Sequence, residues 1–259
     1  MKIKANGIEI HYEFSGNGPW VTLAHSLATD RTVWDALAAK LGKQFTVLRY
    51  DARGHGRSSA PVGDYAFPQL VDDLVGLLDA LQIERTHFVG LSMGGMLGQH
   101  FALAHPERLD RLALVSTTSR IPPEARVLWD ERIAVARREG MQAHVESTLA
   151  RWFTAPYRTA HPEVMARIGA LVAATPVAGF AGWGAAICTL DLTEKLGAVK
   201  APTLVVVGAD DPGTPPAASQ AIAAAIPGAR LEIIPQASHQ LVIEQAELFT
   251  RLLRDFLGG

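Results

Sequence analysis

A serine framed by two glycines is the clearest candidate for chemistry in this chain, in the G-x-S-x-G pattern of residues 90–94. The preceding residues 86–91 are typical of a β-strand, and the run from Ser92 to His105 is rich in Ala, Leu, Met and Gln, which favours a helix. A serine on a tight strand-to-helix turn is exposed and strained, and the free N–H groups of a helix N-terminus favour a developing oxyanion. The pattern therefore predicts that Ser92 is a nucleophile and that the Met93 N–H is an oxyanion donor.

The partners that a nucleophilic serine needs follow Ser92 in the chain. A serine hydroxyl needs a base to remove its proton, and the base needs a carboxylate to orient it. Asp210 and Asp211 follow residues 202–208, a continuous apolar run typical of a buried parallel strand, and His239 follows another strand pattern. Because each candidate follows a predicted strand, we expect all of them at the carboxyl edge of one sheet. The two neighbouring aspartates remain alternatives for the acid.

Strand and helix patterns alternate along most of the chain, which predicts parallel βαβ units and a doubly wound α/β sheet. The predicted strands cover residues 8–14, 20–24, 45–50, 86–91, 109–116, 202–208 and 230–234, and the predicted helices cover residues 30–41, 67–81 and 92–105. Within the second of these helices, Asp72 and Asp73 are predicted to lie on a solvated face.

The alternation stops between residues 119 and 196, where the sequence holds helical patterns at 125–140 and 141–153 and no convincing buried strand. The aromatic residues of this stretch include Trp129, Trp152, Phe153, Tyr157, Phe180 and Trp183. We expect residues 119–196 to form a helical cap over the strand ends, inserted into a core of residues 1–118 and 197–259. The alternative is that these aromatic side chains only pack a small helical subdomain.

Composition and charge exclude several classes of function. The 259-residue chain is long enough to bury a large core, and a formal net charge of −2 with 19% charged residues gives no electrostatic case for binding nucleic acid or an anionic membrane. The single cysteine, Cys188, cannot form an internal disulfide, and the sequence has neither a signal-like run nor about 20 consecutive apolar residues. We therefore expect a cytoplasmic protein with no membrane or nucleic-acid partner; its oligomeric state is left open. The histidines lack metal-ligand spacing, so neither a metal nor an organic cofactor is expected.

Several stretches resemble the α/β-hydrolases, and the resemblance extends over essentially the full chain. The matching residues are 48–58, 87–96, 151–154, 202–205, 211–216 and 243–245. Within that superfamily, the Arg-Trp-Phe-Thr and Asp-Pro-Gly-Thr-Pro-Pro pieces are most similar to bacterial 3-oxoadipate enol-lactonases and related esterases. The resemblance implies an α/β-hydrolase fold, with a mostly parallel eight-stranded sheet flanked by helices and a helical cap insertion.

The same resemblance implies roles for particular residues. Its spacing favours Asp211 over Asp210 as the acid. It assigns the second oxyanion donor to the N–H of Leu27, with Ser26 as the alternative. It also makes residues 51–58 a structural turn, since they lack both the G-x-G-x-x-G spacing and the lysine of a phosphate-binding loop.

The expected substrate pocket departs from those relatives. Many of them carry Asn-Ser-Leu-Gly where this chain has His-Ser-Leu-Ala at residues 25–28, and they carry paired cysteines and an arginine where this chain has Trp183, Gly184 and Cys188. The loss of an arginine weakens the recognition of an anion. We therefore expect an apolar pocket that prefers neutral esters or lactones to 3-oxoadipate enol-lactone. The residues expected to line it are His25, Trp129, Trp152 and Trp183.

The predicted function is hydrolysis of carboxylic esters or lactones, with 3-oxoadipate enol-lactone among the candidates, by a triad of Ser92, His239 and Asp211 through an acyl-enzyme. The same triad serves carbon–carbon bond hydrolases and cofactor-free perhydrolases, which the fold alone does not separate. An alternative of another class is a receptor that binds a small ligand without turnover. The complete set of Ser, His and Asp argues against a pure receptor.

Overall fold

The computed structural model describes residues 1–258 and contains the mostly parallel eight-stranded sheet implied by the sequence. Its strands are β1 Lys2–Ala5, β2 Ile8–Ser15, β3 Trp20–Ala24, β4 Thr46–Tyr50, β5 Thr86–Leu91, β6 Leu109–Val115, β7 Thr203–Gly208 and β8 Arg230–Ile234. The strand order is β1-β2-β4-β3-β5-β6-β7-β8. Strand β2 pairs antiparallel with β1 and β4, and the other neighbours are parallel. The parallel strands therefore end along one edge of the sheet.

Strand β1 is the strand that the sequence analysis missed. It has four residues, of which only Ala5 is buried, and it pairs with β2 across a tight turn in which Asn6 and Gly7 have φ of 44° and 75°. The alternation of polar and apolar residues over only four positions, two of them lysines, is hard to distinguish from a loop. Lysines are common on edge strands such as this one.

Residues 1–258 form eleven α-helices, and the helices predicted over 67–81, 92–105 and 125–140 match three of them to within one residue at each end. The eleven helices are α1 Asp35–Leu41, α2 Phe67–Ala80, α3 Met93–Ala104, α4 Ala125–Glu139, α5 Val145–Trp152, α6 Ala155–Ala160, α7 Pro162–Ala174, α8 Val177–Ile187, α9 Pro216–Ala225, α10 Leu241–Glu244 and α11 Ala246–Gly258. The single helix predicted over 30–41 is a 3₁₀ turn, Arg31–Trp34, followed by α1. The Asp30 carboxylate caps this turn, because it accepts the Thr32 N–H at 2.8 Å.

Five helices, α4 to α8, lie between β6 and β7, in the stretch predicted to be a helical insertion. The run 141–153 predicted as one helix begins with a 3₁₀ turn, Met141–His144, before α5. Within residues 1–258, no single helix is long and apolar enough to cross a membrane, and α7 with α8 reaches that length only as a pair bent by 87°.

The predicted solvated face of α2 is wrong for one of its two aspartates. Asp72 is exposed, but Asp73 falls on the buried stripe of the helix. Its carboxylate accepts two hydrogen bonds of 2.7 Å from the Arg53 guanidinium and one of 2.8 Å from the Asn6 amide. A charge on an apolar helix face is tolerated when it is paired in this bidentate way.

Residues 51–58 form the structural turn that the resemblance implies. The Asp51 carboxylate accepts the N–H groups of Arg31 and Arg57, both at 2.9 Å. Gly56 has φ of 53°, and a Cβ there would lie 2.4 Å from Asp51 Cγ. The turn therefore folds around its own aspartate.

Candidate active site

Ser92 occupies the strained turn that its sequence context predicts. It follows β5, precedes α3 and has φ of 54° and ψ of −111°, a conformation that residues other than glycine rarely adopt. A Cβ at Gly90 would lie 2.2 Å from the Gly94 carbonyl oxygen, and a Cβ at Gly94 would lie 2.3 Å from the Ala24 carbonyl oxygen. Neither position admits a side chain. The Ser92 hydroxyl makes no capping bond with its own helix, which leaves it available to a base.

A buried acid–base pair lies after β7 and β8. His239 Nδ1 donates to Asp211 Oδ2 at 2.8 Å, and both side chains are buried. The Asp211 carboxylate also accepts the N–H groups of Gly213 and Thr214 at 2.8 and 3.0 Å and the Thr214 hydroxyl at 2.7 Å. Asp210, the alternative acid, is exposed to solvent. The aspartate favoured by spacing is therefore the one bonded to the histidine.

These hydrogen bonds keep the Asp211 carboxylate ionised. Burial alone would raise the pKa of Asp211, but the charge of His239 and the bonds from His239 and Thr214 outweigh burial and lower that pKa below its usual value. An ionised carboxylate at Nδ1–H fixes the tautomer of the imidazole and leaves Nε2 as a proton acceptor. The pair has the chemistry of a general base.

The loop that carries His239 crosses the end of β5. His239 is bonded to Asp211 on the loop after β7, and the next residue, Gln240, donates from Nε2 to Ser26 Oγ at 3.0 Å on the loop after β3. Strand β5 lies between β3 and β7 in the sheet. The structure therefore brings Ser92, Asp211 and His239 to the same edge.

Two backbone segments flank the turn at Ser92. Met93 is the first residue of α3, so its N–H has no carbonyl partner within the helix. Leu27 lies on the loop that follows β3, and this loop leaves the sheet beside the turn because Ala24 and Gly90 are register partners. The oxyanion roles of these two N–H groups stay predictions.

Two of the side chains predicted to line the pocket are fixed by backbone groups. His25 is buried; its Nδ1 donates to the Ser26 carbonyl at 2.8 Å, and its Nε2 accepts the Ala52 N–H at 3.0 Å. The indole N–H of Trp183 donates to the Arg53 carbonyl at 2.8 Å. The polar atoms of both rings therefore already have backbone partners. Contact of either side chain with a substrate stays a prediction.

The other two predicted pocket residues differ in their surroundings. The Trp152 ring lies 6.1 Å from the His239 imidazole, with the planes inclined by 26°, and the Trp152 carbonyl accepts the Gln240 N–H at 3.0 Å. Trp129 is half-buried, with the Arg132 guanidinium 4.3 Å from its ring centroid. Trp152 therefore adjoins the candidate base, whereas Trp129 packs within the helical insertion.

Glu244 joins the loop of His239 to the end of α5, a role that the sequence analysis missed. Its carboxylate accepts the N–H and the hydroxyl of Thr154 at 2.8 and 2.9 Å, together with the N–H of Ser238. The Ser238 hydroxyl also donates to the Arg151 carbonyl at 3.0 Å. Residues 151–154 and 243–245 are both among the stretches that resemble the α/β-hydrolases. Their contact in space is not visible in a sequence.

Two arginines without an acidic partner lie in the helical insertion, and the sequence analysis did not single them out. The Arg132 guanidinium packs 4.3 Å from the Trp129 ring centroid and 5.5 Å from that of Phe180. Burial, together with the nearby charge of Arg151, lowers the pKa of Arg132 to about 9, and burial also lowers the pKa of Arg151. Within residues 1–258, neither guanidinium forms an ion pair with a carboxylate. Two like charges in a desolvated region are unfavourable alone and suit a site that receives an anion.

Other histidines contact structural partners rather than one another as metal ligands would. His11 Nδ1 lies 2.9 Å from the Asp51 carboxylate, and His144 Nε2 donates to the Arg132 carbonyl at 3.0 Å. In the part of the chain that the structure describes, no group of three His, Cys, Asp or Glu side chains could hold a metal ion.

The chain matches a known protein family and several solved structures. The family model described as alpha/beta hydrolase fold matches residues 19–246. The chain is 33% identical over 249 residues to 3-oxoadipate enol-lactonase 2 of Acinetobacter baylyi, a match that covers 95% of this chain and 92% of that protein.

Two solved structures are similar along almost their whole length. The enol-lactonase from Burkholderia xenovorans is 42% identical, with a TM-score of 0.96 and full coverage of both chains. A thermophilic esterase from Thermogutta terrifontis is 33% identical, with a TM-score of 0.95 and coverage of 99% of this chain and 98% of that one. The fold expected from the sequence is confirmed by these matches.

Proposed function

The chain belongs to the α/β-hydrolase family, and on that premise we propose that it is a serine hydrolase that cleaves carboxylic esters or lactones with Ser92, His239 and Asp211. The observation that carries this proposal is the buried bond of 2.8 Å between His239 and Asp211 at the sheet edge where Ser92 sits in a strained turn. A nucleophile, a base and an orienting carboxylate on one edge are the parts that acyl transfer needs.

In the proposed reaction, His239 Nε2 takes the hydroxyl proton while Ser92 Oγ attacks the substrate carbonyl. Asp211 holds the imidazole in place and stabilises its positive form. The N–H groups of Met93 and Leu27 bind the oxyanion, and the protonated His239 then gives its proton to the leaving alkoxide. Water attacks the acyl-enzyme with the same imidazole as base, which releases the acid and regenerates the serine.

We also propose that residues 119–196 act as a cap that closes over this edge. Three contacts support the idea: Trp152 beside His239, the Arg151 carbonyl bonded to Ser238, and Thr154 bonded to Glu244. They tie the end of α5 to the loop of the candidate base. A cap fixed in this way would contribute side chains to substrate binding and still has to admit the water that attacks the acyl-enzyme.

The substrate that the charges favour is an ester or lactone that carries a carboxylate. Arg132 and Arg151 supply two positive charges with no acidic partner among residues 1–258, and Arg151 directly precedes Trp152, which adjoins His239. Guanidinium groups bind carboxylates through paired hydrogen bonds. Together with the names of the enol-lactonase relatives, this favours 3-oxoadipate enol-lactone over the neutral substrates expected from the sequence.

The test is a comparison of kcat/KM across a set of substrates with the purified protein. The set contains 3-oxoadipate enol-lactone, a neutral lactone of similar size and p-nitrophenyl esters of short acids. We expect hydrolysis of all three classes, with the enol-lactone preferred. A preference for the neutral lactone would restore the apolar-pocket expectation. Binding of these substrates without turnover would replace the proposed reaction with a receptor function.

A further inference from the structure

Two histidines tie the loop of Leu27 to the loop that follows β4. We propose that His25 and His55, together called the histidine clasp, position the Leu27 N–H in the oxyanion hole without touching the substrate. They are positioning residues, and the inference rests on the proposed function, because an oxyanion hole is needed only if Ser92 attacks a carbonyl.

The two histidines bind each other's loops reciprocally. His25, on the loop after β3, accepts the Ala52 N–H of the loop after β4 at its Nε2, with a distance of 3.0 Å. His55, on the loop after β4, accepts the Ala28 N–H of the loop after β3 at its Nε2, with a distance of 3.1 Å. Leu27 lies between the two bonded positions of its loop, so both ends of its short segment are held.

Each ring is also fixed at its other nitrogen. His25 Nδ1 donates to the Ser26 carbonyl at 2.8 Å, and His55 Nδ1 donates to the Arg53 carbonyl at 3.2 Å. Both rings must therefore be neutral and protonated at Nδ1, because Nε2 has to accept a backbone N–H. The ring centroids lie 5.2 Å apart, and both side chains are buried.

The surroundings keep the clasp neutral. Burial lowers the pKa of His55 to about 3 with a further lowering by His25, although the Arg53 carbonyl and the charge of Asp51 act in the opposite direction. Burial lowers the pKa of His25 as well, against the Ser26 carbonyl and the charge of Asp51. An imidazolium could not accept either N–H, so the neutral state is the one that the bonds require.

The loop needs such a constraint because its backbone is strained. Ala28 has φ of 58°, a left-handed conformation that is unfavourable for a residue with a Cβ. The bond from the Ala28 N–H to His55 holds the residue in that conformation. Without it, Ala28 would relax towards negative φ and the segment from Ser26 to Ala28 would shift, which moves the Leu27 N–H relative to Ser92.

The experiment compares His55→Leu, which removes the acceptor, with His55→Gln, whose amide oxygen can take the place of Nε2. The readouts are kcat and KM for p-nitrophenyl butyrate and the affinity for phenylboronic acid, which forms a tetrahedral adduct with an active serine. In His55→Leu we expect kcat to fall roughly 10- to 100-fold, less than the largest losses after deletion of an oxyanion donor. KM should change little, and the boronic acid should bind more weakly in proportion to the loss in kcat. His55→Gln should keep most of the activity.

Amide hydrogen exchange of residues 25–30 tests the clasp without using activity. Exchange should be faster in His55→Leu than in the wild type and unchanged in His55→Gln. If His55→Leu does not fold, His55→Asn replaces it, because its side chain is polar but too short to reach Ala28. A wild type that neither hydrolyses esters nor binds the boronic acid would refute the proposed function, and the exchange data would still decide the clasp. The clasp proposal would be overturned if the Leu and Gln variants had equal kcat and equal exchange rates. It would also be overturned if exchange were unchanged in a folded His55→Leu protein.

Discussion

The carboxyl edge of the sheet and helix α4 of the helical insertion differ in how closely they are packed. At the edge, Gly90 and Gly94 have no space for a Cβ, and Ser92 is held in a conformation that few residues adopt. In the insertion, Val127 and Leu128 of α4 are 63% and 56% exposed. The backbone at the edge is therefore tightly constrained, whereas α4 has room to vary.

The two regions also differ in their charges. At the edge, the buried carboxylate of Asp211 has a full set of donors, and His239 is one of them. In the insertion, Arg132 and Arg151 have no carboxylate within ion-pair distance among residues 1–258. The hydrogen bonds to Asp211 hold the candidate base in place, whereas the two guanidinium groups can still bind an anionic ligand. We infer that the edge determines the reaction and the insertion determines the substrate.

Removal of the nucleophile is the strongest test of the edge. Ser92→Ala should lower kcat by about 10⁶, as the loss of a serine nucleophile does in another hydrolase, for neutral and anionic substrates alike. Circular dichroism and the melting temperature should be close to those of the wild type, because alanine at this position needs the same backbone conformation as serine. A folded variant with near-native turnover would mean that another group carries out the attack.

The two neighbouring aspartates separate orientation of the base from simple negative charge. Asp211→Asn should lower kcat by roughly 10⁴, because an amide at this position favours the wrong tautomer of His239. Asp210→Asn is the matched control; it removes the same charge at an exposed position and should leave kcat almost unchanged. Steady-state kinetics of both variants decide the assignment. A larger loss in Asp210→Asn would reverse it.

A change in the insertion should alter discrimination rather than chemistry. Arg132→Met should lower kcat/KM for the anionic enol-lactone about 10- to 100-fold, the usual loss when a charged hydrogen bond is removed. Hydrolysis of a neutral p-nitrophenyl ester should change little. Arg137→Met is the control on the same helix, since Arg137 is exposed. Equal losses on both substrates would show that Arg132 supports the fold or the chemistry instead.

The histidine clasp predicts the smallest effect, a difference in acid stability. The pKa of His55 is about 3 in the folded protein and about 6.5 in an unfolded chain. Between these values the unfolded chain binds a proton that the folded protein does not, so stability falls as the pH drops through this window. Urea unfolding from pH 7 to 4.5 gives the free energy of unfolding at each pH. The slope of this free energy against pH should be shallower in His55→Gln than in the wild type by up to about 1.4 kcal/mol per pH unit. His25 and Asp51 are present in both proteins, so their own titration contributes to both curves. Parallel curves of unfolding free energy against pH would contradict the lowered pKa of His55.

Local patterns in the sequence predicted strands β2 to β8 and the strained serine, and the family resemblance favoured Asp211 over Asp210. The strands and the serine turn depend on residues close together in the chain, such as the glycines two positions on either side of Ser92. Features that depend on distant partners were not predictable. Asp73 is buried because Arg53 pairs with it, and periodicity gives no sign of that partner.

The same limit applies to the candidate site. His25 was expected to line the pocket, which stays a prediction; its role as acceptor of a backbone N–H from another loop was not visible in the sequence. Arg132 was missed because only the position of Cys188, where relatives carry an arginine, was considered as the place of a positive charge. The Arg132 guanidinium instead lies on α4. Local spacing indicates the reaction, and long-range packing determines which charges are left without an acidic partner.

Covalent labelling of Ser92 tests the central claim most directly. The wild-type protein is treated with a fluorophosphonate at neutral pH, and the intact mass and the modified peptide are measured by mass spectrometry, with Ser92→Ala and heat-denatured protein as controls. We predict one adduct per chain, on Ser92, in the folded wild type and none in either control. An unlabelled wild type, or a label on another residue that persists in Ser92→Ala, would contradict the account.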